Sequence, residues 1–103
     1  MGSDRRAGLV AAVRRSVLEA PGLTSTDRRR RAYDGEADGG GEHLEAYLAM
    51  VHARSAYISD RLVDDARADG VSDDELFELT IAAATGEALR RLDAGLRALG
   101  VAE

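Results

Sequence analysis

The chain has no cysteine, no lysine and no tryptophan, and only one proline and one phenylalanine among its 103 residues. Without cysteine it can form no disulfide, no thiolate metal site and no thiol nucleophile. With aromatics at 4% and alanine and leucine abundant, the composition favours helices over strands. No segment approaches the roughly 20 apolar residues of a membrane span. Arg14 and Arg15 break the one apolar stretch near the N-terminus, so it does not read as a secretory leader. These absences predict a soluble, cytoplasmic protein. All fourteen cationic residues are arginine, which coding bias in a GC-rich genome explains more simply than any functional demand.

What is present fits one ordered domain spanning residues 1–103. The chain is 45% hydrophobic and 32% charged, too apolar for a disordered segment. A globule of this size hides only about 60–70% of the surface its unfolded chain exposes, so burial against a partner chain would help it. The net charge of −5 is unevenly spread. Residues 1–33 hold eight arginines against Asp4, Glu19 and Asp27, whereas residues 60–78 hold eight acids against Arg61 and Arg67. Overall acidity argues against a nucleic-acid partner, since phosphate affinity needs net neutralisation. Attraction between the two regions, within a chain or between copies, is the better use of the asymmetry.

Periodicity divides the chain into about five helices. Leu9, Val10, Val13 and Val17 predict a first helix over residues 4–18, with Arg14 and Arg15 on its outer side. Pro21 and Gly22 end it, and Thr24, Ser25 and Thr26 are candidate caps for a short helix over residues 27–33. The run Arg28 to Arg31 reads as a solvated face with one arginine paired to an acid. Residues 34–42 form a polar, flexible, glycine-rich loop. A third helix over residues 42–57 presents Leu44, Tyr47, Leu48 and Val51, with Ile58 continuing the stripe. Ser59 caps a fourth helix that stops at Gly70. Ser72 and Glu75 then form a capping box, with three acids in the first turn against the helix dipole.

From Leu76 to Ala84 apolar residues fall on every side, which predicts burial all round. Ala82 and Gly86 are small enough to admit another backbone. Leu89, Leu92, Leu96 and Leu99 keep a leucine rhythm for less than two heptads. As one helix, residues 73–99 would be about 40 Å long, against about 30 Å for a small domain. Either the helix bends near Gly86 or its leucine end packs on another chain. A homo-oligomer joined through the C-terminal helices is expected.

The segment Ala66-Arg67-x-x-Gly70-Val71-Ser72-x-x-Glu75, followed by Leu79 and an alanine-rich helix, resembles the alkylhydroperoxidase-D-like, or carboxymuconolactone-decarboxylase-like, family. The likeness covers residues 44–99. It is greatest to small cysteine-free members with a Phe-Glu-Leu-Thr run, here Phe77 to Thr80, and a Leu-Arg-Arg-Leu-x-x-Gly-Leu tail, here Leu89 to Leu96. The resemblance implies an all-α, AhpD-like fold. It also places Ser55, Ile58 and Leu62 where redox members carry Cys-x-x-Cys-x-x-x-His. Dithiol chemistry needs an attacking thiolate and a resolving thiol, so peroxidase activity by that route is excluded.

His52 is then the best titratable candidate. Glu45 lies seven residues before it on the same helical face, and Arg54 and Tyr57 follow closely. His52, Glu45 and Tyr57 would act as general acid and base on a small molecule, with Arg54 and Ser55 binding the ligand, a small carboxylic acid. The alternative is a surface histidine beside a core stripe. His43 is nine residues from His52 and on another face, and the Asp60, Asp64, Asp65, Asp69 cluster lacks the spacing of a calcium loop, so no metal is expected. No phosphate-binding loop is present and no cofactor is expected. The leading functional expectation is a redox-inactive homo-oligomer with a small-molecule-binding or scaffold role. The alternatives are a non-redox decarboxylase or isomerase, or an accessory subunit docking an acidic partner through its arginine-rich N-terminal half.

Overall fold

A computed structural model of the protein describes residues 2–54 and 58–100, leaving aside the side chains of residues 2–4 and 54. Five helices and no strand are found among the described residues: α1 (Gly2–Glu19), α2 (Thr26–Asp34), α3 (Glu42–Arg54), α4 (Asp60–Ala68) and α5 (Asp73–Ala98). Serine caps start three of them. Ser25 Oγ accepts from Arg28 N, Ser59 Oγ from Leu62 N, and Ser72 with Glu75 completes the expected reciprocal box at 3.1 Å each way. No helix among the described residues is long and apolar enough to cross a membrane.

The helix α5 is the axis of the fold. It runs unbroken for 26 residues, about 39 Å, and packs against α1, α2 and α3, while α4 packs on α3 and α1 on α2. The molecule measures 48 × 29 × 19 Å, which is two helix layers thick. The core lies between α3 and α5. Leu44, Tyr47, Leu48 and Val51 meet Leu76, Leu79, Ala82 and Ala83, with Ala32 and Tyr33 closing one side and Ile58 packed at the edge. Leu44 and Leu79 are wholly enclosed, each contributing about 2–3 kcal/mol of transfer free energy. Thr80, partly buried beside this core, has its hydroxyl satisfied. Thr80 Oγ donates to the Leu76 carbonyl at 2.6 Å and so accepts from the Tyr47 hydroxyl at 2.8 Å.

Two expectations about buried faces are corrected. Phe77, Ile81 and Ala84 are exposed, so α5 buries one face rather than its whole circumference. Three neighbours on a molecule two layers thick cannot surround a helix. On α1, Leu9 and Val13 are exposed, whereas Leu18 is buried and Val17 packs against the core. The contact line runs nearer Val10, Val17 and Leu18, and the exposed Arg14 beside it sets its guanidinium 5.6 Å from the Tyr33 ring centre.

The arginine run is also less solvated than its composition implies. Arg28 pairs with Asp38 through Nε at 2.9 Å and Nη2 at 3.0 Å, and with Glu75 at 3.5 Å. Arg29 is buried, and its Nη1 donates to the Val17 carbonyl at the end of α1 at 3.1 Å. The loop between α1 and α2 is tied to α5 by Glu78. Its carboxylate accepts from Leu23 N, Thr24 N and Thr24 Oγ at 2.6–2.8 Å. These donors, the Thr24 hydroxyl first, hold the Glu78 carboxyl down at about 2. The start of α3 follows the same scheme. Gly41 at its N-cap has no side chain, so Asp69 from the end of α4 reaches across to accept from Leu44 N at 2.9 Å, and a Cβ on Gly41 would strike that carboxylate.

At Gly86 the end of α2 comes against α5, and a Cβ there would collide with the Tyr33 carbonyl. Gly86→Ala is therefore expected to cost about 1–3 kcal/mol despite alanine's better helix propensity, whereas Gly8→Ala, with open space around it, should gain roughly 0.5–1 kcal/mol. Paired thermal melts would show the opposite signs. Replacing the Glu78 carboxylate by the Glu78→Gln amide should lower the Tm at neutral pH by roughly 4–8 °C. Because the folded-state carboxyl titrates near 2 and an unfolded one near 4.5, that stabilisation is complete above 4.5 and fades as pH falls toward 2. Melts across that window should find wild type and variant converging at the acid end.

Candidate functional site

The site is organised around the C-terminus of α2. A helix of 9 residues leaves its last carbonyls unpartnered and presents the negative end of its dipole. Gly35, in the left-handed region at φ 79°, donates its N–H to Ala32 O at 3.2 Å, and Glu36 N reaches Arg31 O at 2.8 Å. The remaining capacity is met from other helices. His52 Nε2 lies 2.6 Å from the Ala32 carbonyl, and Arg90 Nη1 donates to the Tyr33 carbonyl at 2.8 Å.

These contacts decide the state of the His52 ring. A carbonyl can only accept, so Nε2 carries the hydrogen. Nδ1 meets Arg90 Nη2 at 3.0 Å and Glu87 Oε1 at 3.3 Å. One nitrogen cannot serve a donor and an acceptor together. In the neutral ring Nδ1 accepts from Arg90, and in the protonated ring its hydrogen goes to Glu87. The Glu87 carboxyl sits below the usual carboxylate range, through His52 first and then Arg90 and Arg91. The His52 side chain is 14% exposed, facing a cleft rather than open solvent.

That cleft, of about 510 Å³, lies between the loop after α2 and the outer faces of α3 and α5. Leu48, Ala49 and Ala32 supply apolar lining, His52, Glu87 and Arg90 a linked polar group, and Asp34, Glu36 and Glu45 three further carboxylates. Asp38 also lines it but is already neutralised by Arg28. The side chains of Asp34, Glu36 and Glu45 have no ion-pair or hydrogen-bond partner among the described residues. The cleft is therefore open, partly apolar and lined by unpaired acids.

Of the residues singled out from sequence, His52 and Glu45 share this cleft. They stand two helical turns apart without a mutual hydrogen bond, and the carboxylate that meets His52 is Glu87. Ser55 and Tyr57 lie outside the described residues, as does the Arg54 side chain, so their convergence on His52 has no geometry. Glu87 and Arg90 were missed because they lie 35 and 38 residues from His52. The only local signal was Glu87-x-x-Arg90-Arg91, an ordinary ion-paired helix face. His43 is half exposed and bonds Asp69 at 3.1 Å, so it shares no partner with His52. No cluster of three or more metal-ligating side chains is found among the described residues. In the arginine run, Arg28, Arg29 and Arg31 have partners, which leaves Arg30 for any acidic docking partner.

If His52 is a cap for α2, its removal acts on stability. His52→Ala should lower the Tm by roughly 5–10 °C, because the Ala32 carbonyl and Arg90 each lose a partner. Nitrogen-15 spectra of the imidazole should find the hydrogen on Nε2 in the neutral ring, and a hydrogen on Nδ1 would contradict the capping geometry.

Comparison of the chain with protein-family models, with curated proteins and with solved structures finds no match. What the site does must be read from its own geometry.

Proposed function

We propose that this chain is a redox-inactive helical binding protein of the alkylhydroperoxidase-D-like type, whose cleft beside His52 holds a small ligand without transforming it. The kinship rests on the helix-Gly-Ser-acid junction at residues 66–75 and on the five-helix order. The absence of cysteine removes thiol chemistry from this chain.

The observation that carries the binding reading is that both ring nitrogens of His52 are engaged by protein groups, Nε2 by the Ala32 carbonyl and Nδ1 by Arg90. A general base needs a lone pair aimed at the substrate proton. Here the lone pair is aimed at a guanidinium, which in turn is anchored to the end of α2. The decarboxylase or isomerase reading would require Arg90 to leave first, uncapping the helix.

The unpaired lining charges decide the sign of the ligand. Arg90 and His52 are committed to each other and to backbone, while three carboxylates lining the cleft are unpaired among the described residues. A small carboxylic acid, the ligand suggested by sequence, would meet like charge. A small molecule with an apolar body and an amine fits better, its body on Leu48 and Ala49 and its charge toward Glu36 and Glu45.

Titration of the labelled protein with n-butylamine and, separately, with butyrate tests this. The amine should move the amide resonances of Gly35, Ala49 and His52, and butyrate should not. Glu36→Gln and Glu45→Gln should each weaken amine binding by up to about fivefold, as for one exposed charge pair. Equal response to butyrate, or shifts confined to other helices, would reject the assignment.

A further inference from the structure

A groove between α1 and α2, apart from the cleft at His52, collects cations that the fold leaves unspent. It has a volume of about 400 Å³, and Arg14, Arg15 and Arg30 line it with a single acid, Glu19. Elsewhere arginines end on a carboxylate or a carbonyl, as Arg28, Arg29 and Arg90 do. Arg15 and Arg30 have no hydrogen-bond or ion-pair partner among the described residues, although the chain holds 19 acids. Arg14 sets its guanidinium over the Tyr33 ring and donates no hydrogen bond among the described residues. Even Glu19, one turn after Arg15, forms no bridge with it, a carboxylate C-terminal to its cation being the weaker order on a helix.

The contacts of α2 gather these charges at one end of the groove. Arg29 Nη1 donates to the Val17 carbonyl and Tyr33 lies under Arg14, so the segment of α2 that carries Arg30 faces residues 14–17 of α1. Toward the start of α1 the lining changes to Ala7, Val10 and Ala11, with no charge among them. Ala7 lies about 10 Å along the helix axis from Arg14. The groove is cationic at one end and apolar at the other.

We propose that this groove binds a phosphate monoester carrying a linear apolar chain. Arg14, Arg15 and Arg30 hold the head, and the chain lies along Ala7, Val10 and Ala11. Three arginines against one glutamate leave two positive charges in excess, which match a phosphate monoester dianion and exceed what one carboxylate returns. Guanidinium N–H groups also fit phosphate oxygens in pairs. The apolar lining accommodates a chain of about six to eight carbons. The site is independent of the amine assigned to the cleft, and the two ligands carry opposite charge.

Titration of the nitrogen-15-labelled full chain with n-hexyl phosphate at about pH 7.5, where the ester is mostly a dianion, tests this. The amides of Ala7, Ala11, Arg15 and Arg30 should shift, and those of Ala49 and His52 should not. Methyl phosphate should bind on the order of tenfold more weakly, because it leaves the apolar end uncovered. Arg15→Gln and Arg30→Gln, at exposed and unpartnered positions, should keep the helical circular dichroism and each weaken hexyl phosphate by about three- to tenfold. Glu19→Gln should tighten it by up to about fivefold. Sedimentation with phosphatidylcholine vesicles, with and without phosphatidic acid, identifies the source of the head group. Protein left in solution assigns a soluble ester, and sedimentation that needs phosphatidic acid and both arginines assigns the same head group on a lipid. Equal affinity for methyl and hexyl phosphate, affinity indifferent to both arginine variants, or shifts centred on other helices would each overturn the proposal.

Discussion

The structure depends on how the C-terminus of α2 is seated against α5. Gly86 removes the one side chain that would keep the helices apart, and the Tyr33 carbonyl moves into the space. That contact leaves the ends of a two-turn helix near the middle of a long one, where Arg90 and His52 supply the donors its carbonyls lack. An isolated helix this short is unstable in water, because nucleation consumes most of what its few internal hydrogen bonds return. Once capped from two other helices it becomes a fixed part of the core, and Ala32 and Tyr33 are buried as a result.

The same device recurs along the chain. Arg29 closes the end of α1, Asp69 opens α3, Glu78 holds the loop that leads into α2, and Arg28 pins the loop that leaves it through Asp38. In each case a charged side chain on one element satisfies backbone or loop groups on another. Charge-assisted bonds of this kind are shorter and stronger than neutral ones, and here they also set the position of each element. A protein two helix layers thick has little core to spare, and its polar contacts carry part of the task of defining one structure. This also accounts for His52. Its neighbours in space are what a helix terminus needs, and the cleft beside it is bounded by charges that this capping leaves unused.

Much of the fold was legible from local pattern. The starts of α2, α4 and α5 were marked by serine caps, the end of α4 by Gly70, and the stripe Leu44, Tyr47, Leu48, Val51 on α3 was read correctly because both its spacing and its flanks agree. The readings that went astray are those in which an apolar residue had more than one possible neighbour. Leu9 and Val13 were assigned to the packed side of α1 by period alone, yet the helix packs through Val17 and Leu18 and leaves them exposed. Phe77 and Ile81 were assigned to burial because they are apolar, yet no helix among the described residues covers them.

The sequence by itself determined the helical class, the five elements, the serine caps of α2, α4 and α5, and the exclusion of thiol chemistry, because each of these follows from residue type and from neighbours within one or two turns. Only the tertiary structure decided which carboxylate meets His52, which arginine is buried, and which face of α5 is left bare. Those outcomes join residues such as His52 with Glu87 and Thr24 with Glu78, separated by 35 and 54 positions. No periodicity links groups so distant along the chain. Their pairing is settled by where helix ends arrive once the backbones have packed, and by the orphan carbonyls and amides waiting there.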